Sequence, residues 1–220
     1  YRLALDAASG EMLACERVDD VSPQGYLVAS PTRLFVPTGR TNPAVFDRAT
    51  GEYKGQLDGG GGAFAVLVDE TLASGPAVKT GQTLSLSDPK SGESIASCEG
   101  IRMVVRDGMA YMQSKKAIKA LDRARFLARA REHKAADNRR EDLERQIKRS
   151  RDDAEKAELA MQFEAAEQEV ARLGEAMAGC YVWEQACDCP YALVLAGDTL
   201  FAGGDDRVKA FSTEDGAEVW

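Results

Sequence analysis

Apolar residues alternate in short runs along most of this chain, and one long interior segment changes to helical spacing. Four stretches read as strand, tight turn, strand, at residues 25–39, 63–75, 101–114 and 191–204. Alternation on both sides of a turn is the signal of a β-hairpin. The pattern therefore predicts a mainly β protein with an α-helical insertion.

A second pattern, an apolar pair followed by Asp, two variable residues, Ser or Thr, and Gly, follows these hairpins. It occurs at residues 4–11, 45–52 and 86–93, with a weaker copy at 210–217. An Asp side chain can accept hydrogen bonds from backbone N–H groups ahead of it, and Gly supplies the left-handed conformation that closes such a turn. The structural turn residues predicted in this way are Asp6, Gly10, Asp47, Gly51, Asp88, Gly92 and Gly216.

The spacing of the turns predicts the architecture. Asp6, Asp47 and Asp88 stand 41 residues apart, which is the length of a four-stranded propeller blade. A degenerate copy ends at Asp122 without the following Gly. We therefore predict a partial β-propeller of about four four-stranded blades, with an α-helical hairpin inserted between two of its repeats. The predicted division is blades at 1–122, the hairpin at 123–179 and a further blade at 180–220.

Apolar residues of the insertion recur in steps of four and three, from Phe126 and Ala130 in the first half and from Leu159 in the second, which is the heptad spacing of a coiled coil. If the segment folds back near Asp153, Ile147 meets Leu159 and Leu143 meets Phe163, so the two halves match in antiparallel register. The predicted hairpin seam contains Leu143, Ile147, Leu159, Phe163, Val170, Leu173 and Met177. A single straight helix of about 57 residues is the alternative, and it would place the two halves far apart.

Charge divides the insertion in two. Residues 123–151 carry 11 basic and 5 acidic side chains, whereas residues 152–179 carry 2 basic and 8 acidic. We expect the oppositely charged helices to attract and neutralise each other, although the Arg-rich half could instead contact RNA or an acidic surface. The net charge of −8 argues against nucleic acid as a partner of the whole chain.

The sequence shows neither a membrane-spanning segment nor a targeting signal that would indicate where the protein is located. No apolar run approaches the roughly 18 residues of a membrane span. No signal peptide begins at Tyr1, so a cytoplasmic and a periplasmic location both stay open.

Few residues suggest chemistry. Cys180, Cys187 and Cys189 are the only metal candidates, but zinc sites usually combine two Cys-x-x-Cys or Cys/His pairs, so we predict no metal. A disulfide among these three cysteines also stays open. His133 is the one histidine, and its seam position favours a structural role. We predict no catalytic residue, since a Ser-His-Asp arrangement cannot be assembled around that position.

The repeats resemble the pyrroloquinoline-quinone-type propeller family, whose blades carry an Ala-x-Asp-x-x-Thr-Gly-x-x-x-Trp signature. The resemblance covers residues 1–122 and 181–220, and the signature is best kept in the segment that ends at Trp220. It implies that Trp220 docks one blade on the next, although Ala14, Gly55 and Ala96 replace the Trp elsewhere. The helical hairpin departs from the usual pattern and resembles long multidomain bacterial relatives, some joined to a methyltransferase.

The family includes quinoprotein dehydrogenases and also a lipoprotein scaffold of outer-membrane protein assembly. Its enzymes use adjacent cysteines, calcium and a catalytic Asp, and this chain has no adjacent cysteines. We therefore expect a non-catalytic binding or scaffold module without a cofactor. Its partner would be a protein or a second copy, bound through open propeller edges or the hairpin. The alternatives are a quinone-dependent oxidoreductase and the propeller part of a larger enzyme such as a methyltransferase fusion.

Overall fold

A computed structural model describes residues 2–19, 21–76 and 81–220. The β-strands are short, and in chain order they come before and after one pair of long helices. The strands are β1 (Arg2–Leu5), β2 (Met12–Glu16), β3 (Val28–Ala29), β4 (Arg33–Val36), β5 (Ala44–Asp47), β6 (Tyr53–Gln56), β7 (Phe64–Val68), β8 (Thr71–Gly75), β9 (Thr83–Ser87), β10 (Ser94–Glu99), β11 (Arg102–Arg106), β12 (Met109–Gln113), β13 (Ala117–Asp122), β14 (Tyr181–Ala186), β15 (Ala192–Ala196), β16 (Thr199–Gly204) and β17 (Arg207–Ser212). The helices are α1 (Arg123–Arg149) and α2 (Asp153–Ala178).

The strands form five separate antiparallel sheets in chain order. Three sheets have four strands each, β3 to β6, β7 to β10 and β11 to β14, and within each sheet neighbouring strands follow one another in sequence. The first sheet contains β1 and β2, and the last contains β15 to β17 with one further bridge between Phe211 and Glu218. Each four-stranded sheet is therefore one repeat of the sequence pattern.

Successive sheets meet through their first strands and are packed face to face. Strand β3 contacts β7, β7 contacts β11, and β11 contacts β15. Separate apolar clusters fill the spaces between the sheets, and each cluster draws residues from both neighbours. This arrangement is a partial β-propeller, as the 41-residue repeat predicted, with three complete blades and two incomplete ones.

The repeated Asp begins a tight corner between the third and fourth strand of a blade. In the corner between β5 and β6, the Asp47 carboxylate accepts hydrogen bonds from the backbone N–H groups of Ala49 and Thr50, at 3.0 and 2.8 Å. The Asp47 N–H donates to the carbonyl oxygen of Glu52 at 2.8 Å, and Gly51 has a φ of +72°. A side chain is strained at that φ, which explains the Gly of the motif. The corners at Asp6 and Asp88 repeat this network.

The helical hairpin lies within one blade and not between two repeats, which corrects the sequence prediction. It joins β13 to β14, neighbouring strands of a single sheet. This is the position that the tight corner occupies in the other blades, because Asp122 corresponds to the corner aspartates. Neither helix in the described ranges is apolar enough to cross a membrane.

Candidate interaction site

The hairpin begins with two of the hydrogen bonds that form a tight corner. The Asp122 carboxylate accepts from the backbone N–H of Arg125 at 3.0 Å, the bond by which an N-cap residue starts a helix. The Asp122 N–H donates to the carbonyl oxygen of Cys180 at 3.0 Å, as Asp47 does to Glu52. The corner hydrogen bond is therefore kept, and the two helices extend from within it.

The first turns of α1 belong to the core of the propeller. Phe126, Leu127 and Ala130 are buried in the cluster that fills the space between the second and third complete blades. The ring of Phe126 lies edge-on to that of Tyr181, with centroids 6.3 Å apart. Met177 of α2 packs against the same cluster. We call residues 123–134 and 173–180 the root of the hairpin, and residues 135–172 the distal arm.

Two basic side chains connect the root to the neighbouring blade. Arg123 is buried, and its guanidinium pairs with Asp69 at 3.0 Å and donates to the carbonyl oxygen of Val68 at 2.7 Å. Lys134 donates to the carbonyl oxygen of Ser94 at 2.6 Å, beside the corner that follows Asp88. The root continues from the third complete blade, and these contacts also fix it to the second. The direction of the arm is therefore fixed by two blades.

The distal arm is a two-helix coiled coil. Leu143 is buried, and Ile147, Leu159, Phe163 and Val170 are partly buried, whereas the residues between them are mostly exposed. Within the root, Leu173 is also buried, and His133 lies beside Gly174, since a side-chain carbon added at Gly174 would be 4.0 Å from the His133 ring. The apolar side chains of the two helices thus face each other in antiparallel register.

The ion pairs of the hairpin join residues of the same helix. Within the described ranges, every ion pair closer than 4.0 Å between two hairpin residues joins side chains of the same helix, such as Arg140 with Asp137 and Arg172 with Glu169. Direct ion pairs between the helices are thus absent from the described residues, and the expected attraction between the two charged helices stays a prediction. Seam side chains occupy the space between the helices, so the basic charges of α1 and the acidic charges of α2 lie on the outer flanks.

The three cysteines considered as metal candidates do not form one cluster. Cys180 is buried in the core beneath the root, whereas Cys187 and Cys189 are buried in the core between the third complete blade and the last sheet. Burial raises the pKa of Cys180 and Cys187, and it raises that of Cys98 to about 12. All five cysteines are free thiols, and the described residues include no group of three or more metal-ligand side chains.

Trp220 does not dock one blade on the next within this chain. Its backbone pairs with Ala210, but 73% of the residue is exposed. Trp183 of β14 is partly buried, and its indole N–H donates to the carbonyl oxygen of Thr213 at 3.1 Å, which joins the last two sheets. Trp183 pairs with Ala120 as Ala14 pairs with Ala4 and Gly55 with Val45, so it stands where the family signature has its Trp.

Sequence reasoning missed the root as a distinct part of the hairpin. The apolar spacing placed Phe126 and Ala130 in the seam between the helices, yet both pack into the propeller. Arg123 and Lys134 carried no signal of their partners, because Asp69 and Ser94 are distant in sequence. The missing Gly after Asp122 was the signal that could have placed the insertion inside a corner.

Comparisons with solved structures support the propeller fold. Two of the three proteins named below are about twice the length of this chain. BamB from Moraxella catarrhalis matches with a TM-score of 0.61 and 14% identity, over 99% of this chain and 53% of that one. The computationally designed Ika8 protein matches at 0.55 and 12% identity, over 96% and 52%. The computationally designed Ika4 protein matches at 0.50 and 14%, over 90% and 99%.

No family model matches the sequence, and no curated protein matches it. At these identities the structural likeness concerns the fold alone. This chain spans about half the length of BamB and of Ika8, and it is similar to them as a partial β-propeller.

Proposed function

We propose that this chain is a protein-interaction module in which the propeller holds a rigid helical arm that contacts a protein partner. The observation that carries the proposal is the root, where Phe126, Leu127 and Ala130 are part of the blade core. A solvent-exposed loop insertion would need no such packing. Fixing the arm to two blades keeps its direction, and a fixed arm loses less conformational entropy on binding.

The outer flanks of the arm favour a charged partner surface. On α1, Arg139 of the arm and Arg131 of the adjoining root lie exposed, and on α2 Glu158, Glu164 and Glu167 lie exposed. Charges arranged in this way steer association and make it sensitive to salt. We propose that the basic flank of α1 binds an acidic protein surface, since α1 carries ten basic and five acidic side chains in a chain whose net charge is −8.

We further propose that the blades are of the pyrroloquinoline-quinone type but serve as a scaffold without a cofactor. The Asp-x-x-Ser/Thr-Gly corners and the likeness to BamB support this proposal. Dye-linked alcohol oxidation after addition of pyrroloquinoline quinone and calcium would contradict it.

The experiment compares three versions of the chain as bait for partners identified by quantitative mass spectrometry. In the trimmed-arm variant, residues 138–168 are replaced by Gly-Asn-Gly-Ser, which leaves the root and its contacts in place. The second variant is Arg131→Glu with Arg139→Glu, and the third is the unchanged chain. We expect one set of partners to be lost from both variants and to dissociate from the unchanged chain as salt rises.

A matched control reverses charge elsewhere on the propeller. Arg48→Glu alters an exposed arginine of the corner between β5 and β6, far along the chain from the arm. It should keep the partners. Partners that persist with the trimmed-arm variant would show that the arm is not the interface.

A further inference from the structure

One position recurs in the strand that ends each of the first four sheets. In the third complete blade it holds Trp183 of β14, which pairs with Ala120 of the preceding strand. The corresponding residues in β2, β6 and β10 are Ala14, Gly55 and Ala96, and each is paired with the preceding strand in the same way. We call this the packing position, and only one of its four residues is large.

The ring of Trp183 lies against the corner of the last sheet. A side-chain carbon added at Gly216, the glycine of that corner, would be 2.6 Å from the ring. The indole N–H donates to the carbonyl oxygen of Thr213 in the same corner, at 3.1 Å. The ring of Tyr111 lies on its other side, with centroids 6.0 Å apart. An indole at the packing position therefore fills the space between one blade and the next corner.

Other parts of the chain occupy this space at two of the remaining junctions. Between the first sheet and the first complete blade, the guanidinium of Arg2 lies against the corner glycine Gly51 and takes up the space that a side chain there would need. In the second complete blade, Ala96 packs against the cluster that contains Phe126 of the hairpin root. A small residue at the packing position is thus compensated at both junctions.

The junction between the first and second complete blades contains a cavity instead. A side-chain carbon added at Gly55 would have no heavy atom of the described residues within 4 Å. The cavity has a volume of about 460 Å³, and its lining includes Val45, which pairs with Gly55, and both chain neighbours of Gly55. Ser91 and Gly92 of the next corner line its other side. Its volume is within the roughly 300–1,000 Å³ of small-molecule pockets.

The lining of the cavity corresponds to the surroundings of Trp183. Val45 stands where Ala120 pairs with the tryptophan, and Gly92 is the corner glycine that corresponds to Gly216. The cavity is therefore the same place in the repeat, without the ring that fills it two blades later.

One cation of the cavity is not engaged in a pair. The Asp47 carboxylate accepts the hydrogen bonds of its corner, and Lys54 pairs with Glu52 at 2.7 Å. Arg33 is partly buried, lines the cavity and has no ion-pair partner within 4.0 Å among the described residues. A guanidinium packs favourably on the face of an aromatic ring. The lining therefore favours a planar aromatic group over an aliphatic one.

We propose that this cavity binds an indole-type aromatic ring supplied from outside the chain, where Trp183 supplies one from within. The ring could belong to a free small molecule or to a tryptophan side chain of a partner, and both bring the same planar group. This inference is independent of the arm and goes beyond the proposed function.

The test is titration of the unchanged chain with indole and, separately, with N-acetyltryptophanamide, followed by the backbone amide signals of the isotope-labelled protein. We expect saturable shifts at the residues that line the cavity, with a Kd for indole of about 1 mM or tighter. Binding of both probes would identify a tryptophan side chain as the occupant, and binding of indole alone a free small molecule. Absence of saturable shifts at the lining with both probes would overturn the proposal.

Two variants fill the cavity, and a third is their matched control. Gly55→Trp supplies a ring from the chain itself, but a side chain is strained at the Gly55 φ of +104°, so Ser91→Trp fills the cavity from the opposite corner. Each should weaken indole binding at least about tenfold. Ser9→Trp changes the same corner position of the first sheet, outside the cavity, and should bind as the unchanged chain does. Equal binding by all three variants would overturn the proposal.

Two further variants test the lining and the independence from the arm. Arg33→Met should weaken indole binding about two- to fivefold, the usual contribution of a partly exposed guanidinium over a ring. The trimmed-arm variant should bind indole with unchanged affinity. Loss of indole binding on trimming would place the site at the hairpin and overturn the proposal.

Discussion

The backbone N–H of Asp122 donates to the carbonyl oxygen of Cys180 across the base of the helical hairpin, at 3.0 Å. The same bond closes the corners that begin at Asp6, Asp47 and Asp88, at 2.8 to 2.9 Å. One hydrogen-bonded frame therefore holds either a four-residue turn or a pair of long helices.

Replacing the whole hairpin by a corner should weaken the propeller more than trimming the arm. Substituting Arg-Ala-Thr-Gly for residues 123–179 keeps the frame but removes Phe126, Leu127 and Ala130 from the core. We expect the free energy of unfolding to fall by more than about 3 kcal/mol, the usual cost of emptying one large buried site. Urea unfolding followed by the near-ultraviolet signal measures it.

The trimmed-arm variant is the control for that replacement, because it keeps the root. Its β-sheets should unfold at nearly the urea concentration of the unchanged chain. Equal stability of the two deletions would show that the root adds nothing to the core.

Removing the buried guanidinium at the root should destabilise the chain. Arg123→Met loses the contacts with Asp69 and with the carbonyl oxygen of Val68. We expect a loss of about 1–3 kcal/mol, since both contacts are charge-assisted and lie at a packed junction. Arg125→Met, at an exposed position of the same helical turn, should change stability by less than about 0.5 kcal/mol. Equal effects would contradict a special role for Arg123.

Breaking the seam should loosen the distal arm and spare the blades. Leu143→Asp places a charge at a buried position between the helices. We expect amide hydrogen exchange in residues 138–168 to accelerate at least about tenfold, with unchanged protection of the strands, because regions with few long-range contacts open locally. Met161→Asp changes an exposed residue of α2 and should have little effect. Acceleration throughout the strands would mean that the arm and the propeller unfold together.

Acid should weaken the corners. Hydrogen bonds from backbone N–H groups, of Ser9, Thr50 and Ser91 respectively, lower the pKa of Asp6, Asp47 and Asp88. A carboxylate with a lowered folded-state pKa stabilises the protein above its unfolded pKa of about 3.9, and this contribution disappears as pH falls through the folded value. Stability from urea unfolding should therefore drop below about pH 4.

The variant that replaces all three corner aspartates by Asn should be less stable at pH 7 and should lose less stability on acidification. Asn keeps an oxygen that accepts a hydrogen bond but does not titrate in this range. An unchanged acid dependence would assign that loss to other carboxylates.

The thiols should react in two classes. Cys15 is exposed, and the other four cysteines are buried, with the pKa of Cys98 raised to about 12 by burial. A thiol must ionise to attack a disulfide reagent. Burial therefore slows the reaction for two reasons, because the reagent cannot reach the thiol and because the thiol pKa is raised. Ellman's reagent should modify one thiol rapidly in the native protein and all five after unfolding. Cys15→Ser should remove the fast phase, and its persistence would contradict the burial of the others.

The amino-acid sequence determined the repeating unit and the pairing of the helices. Corner hydrogen bonds and heptad spacing are local, so Asp47 with Gly51, or Leu143 with Phe163, can be recognised from residues close in the chain or from a simple register. Because the local corner pattern recurs every 41 residues, it was enough to predict a partial propeller.

Only the tertiary structure decided where the hairpin is anchored and which surfaces stay open. Phe126 has the same spacing as a seam residue, and its choice of the blade core depends on a cavity formed by other strands. Arg123 finds Asp69 because two blades meet there. The open space beside Gly55 likewise depends on what the neighbouring blade places there. Such outcomes follow from packing between distant segments, which no local pattern of residues contains.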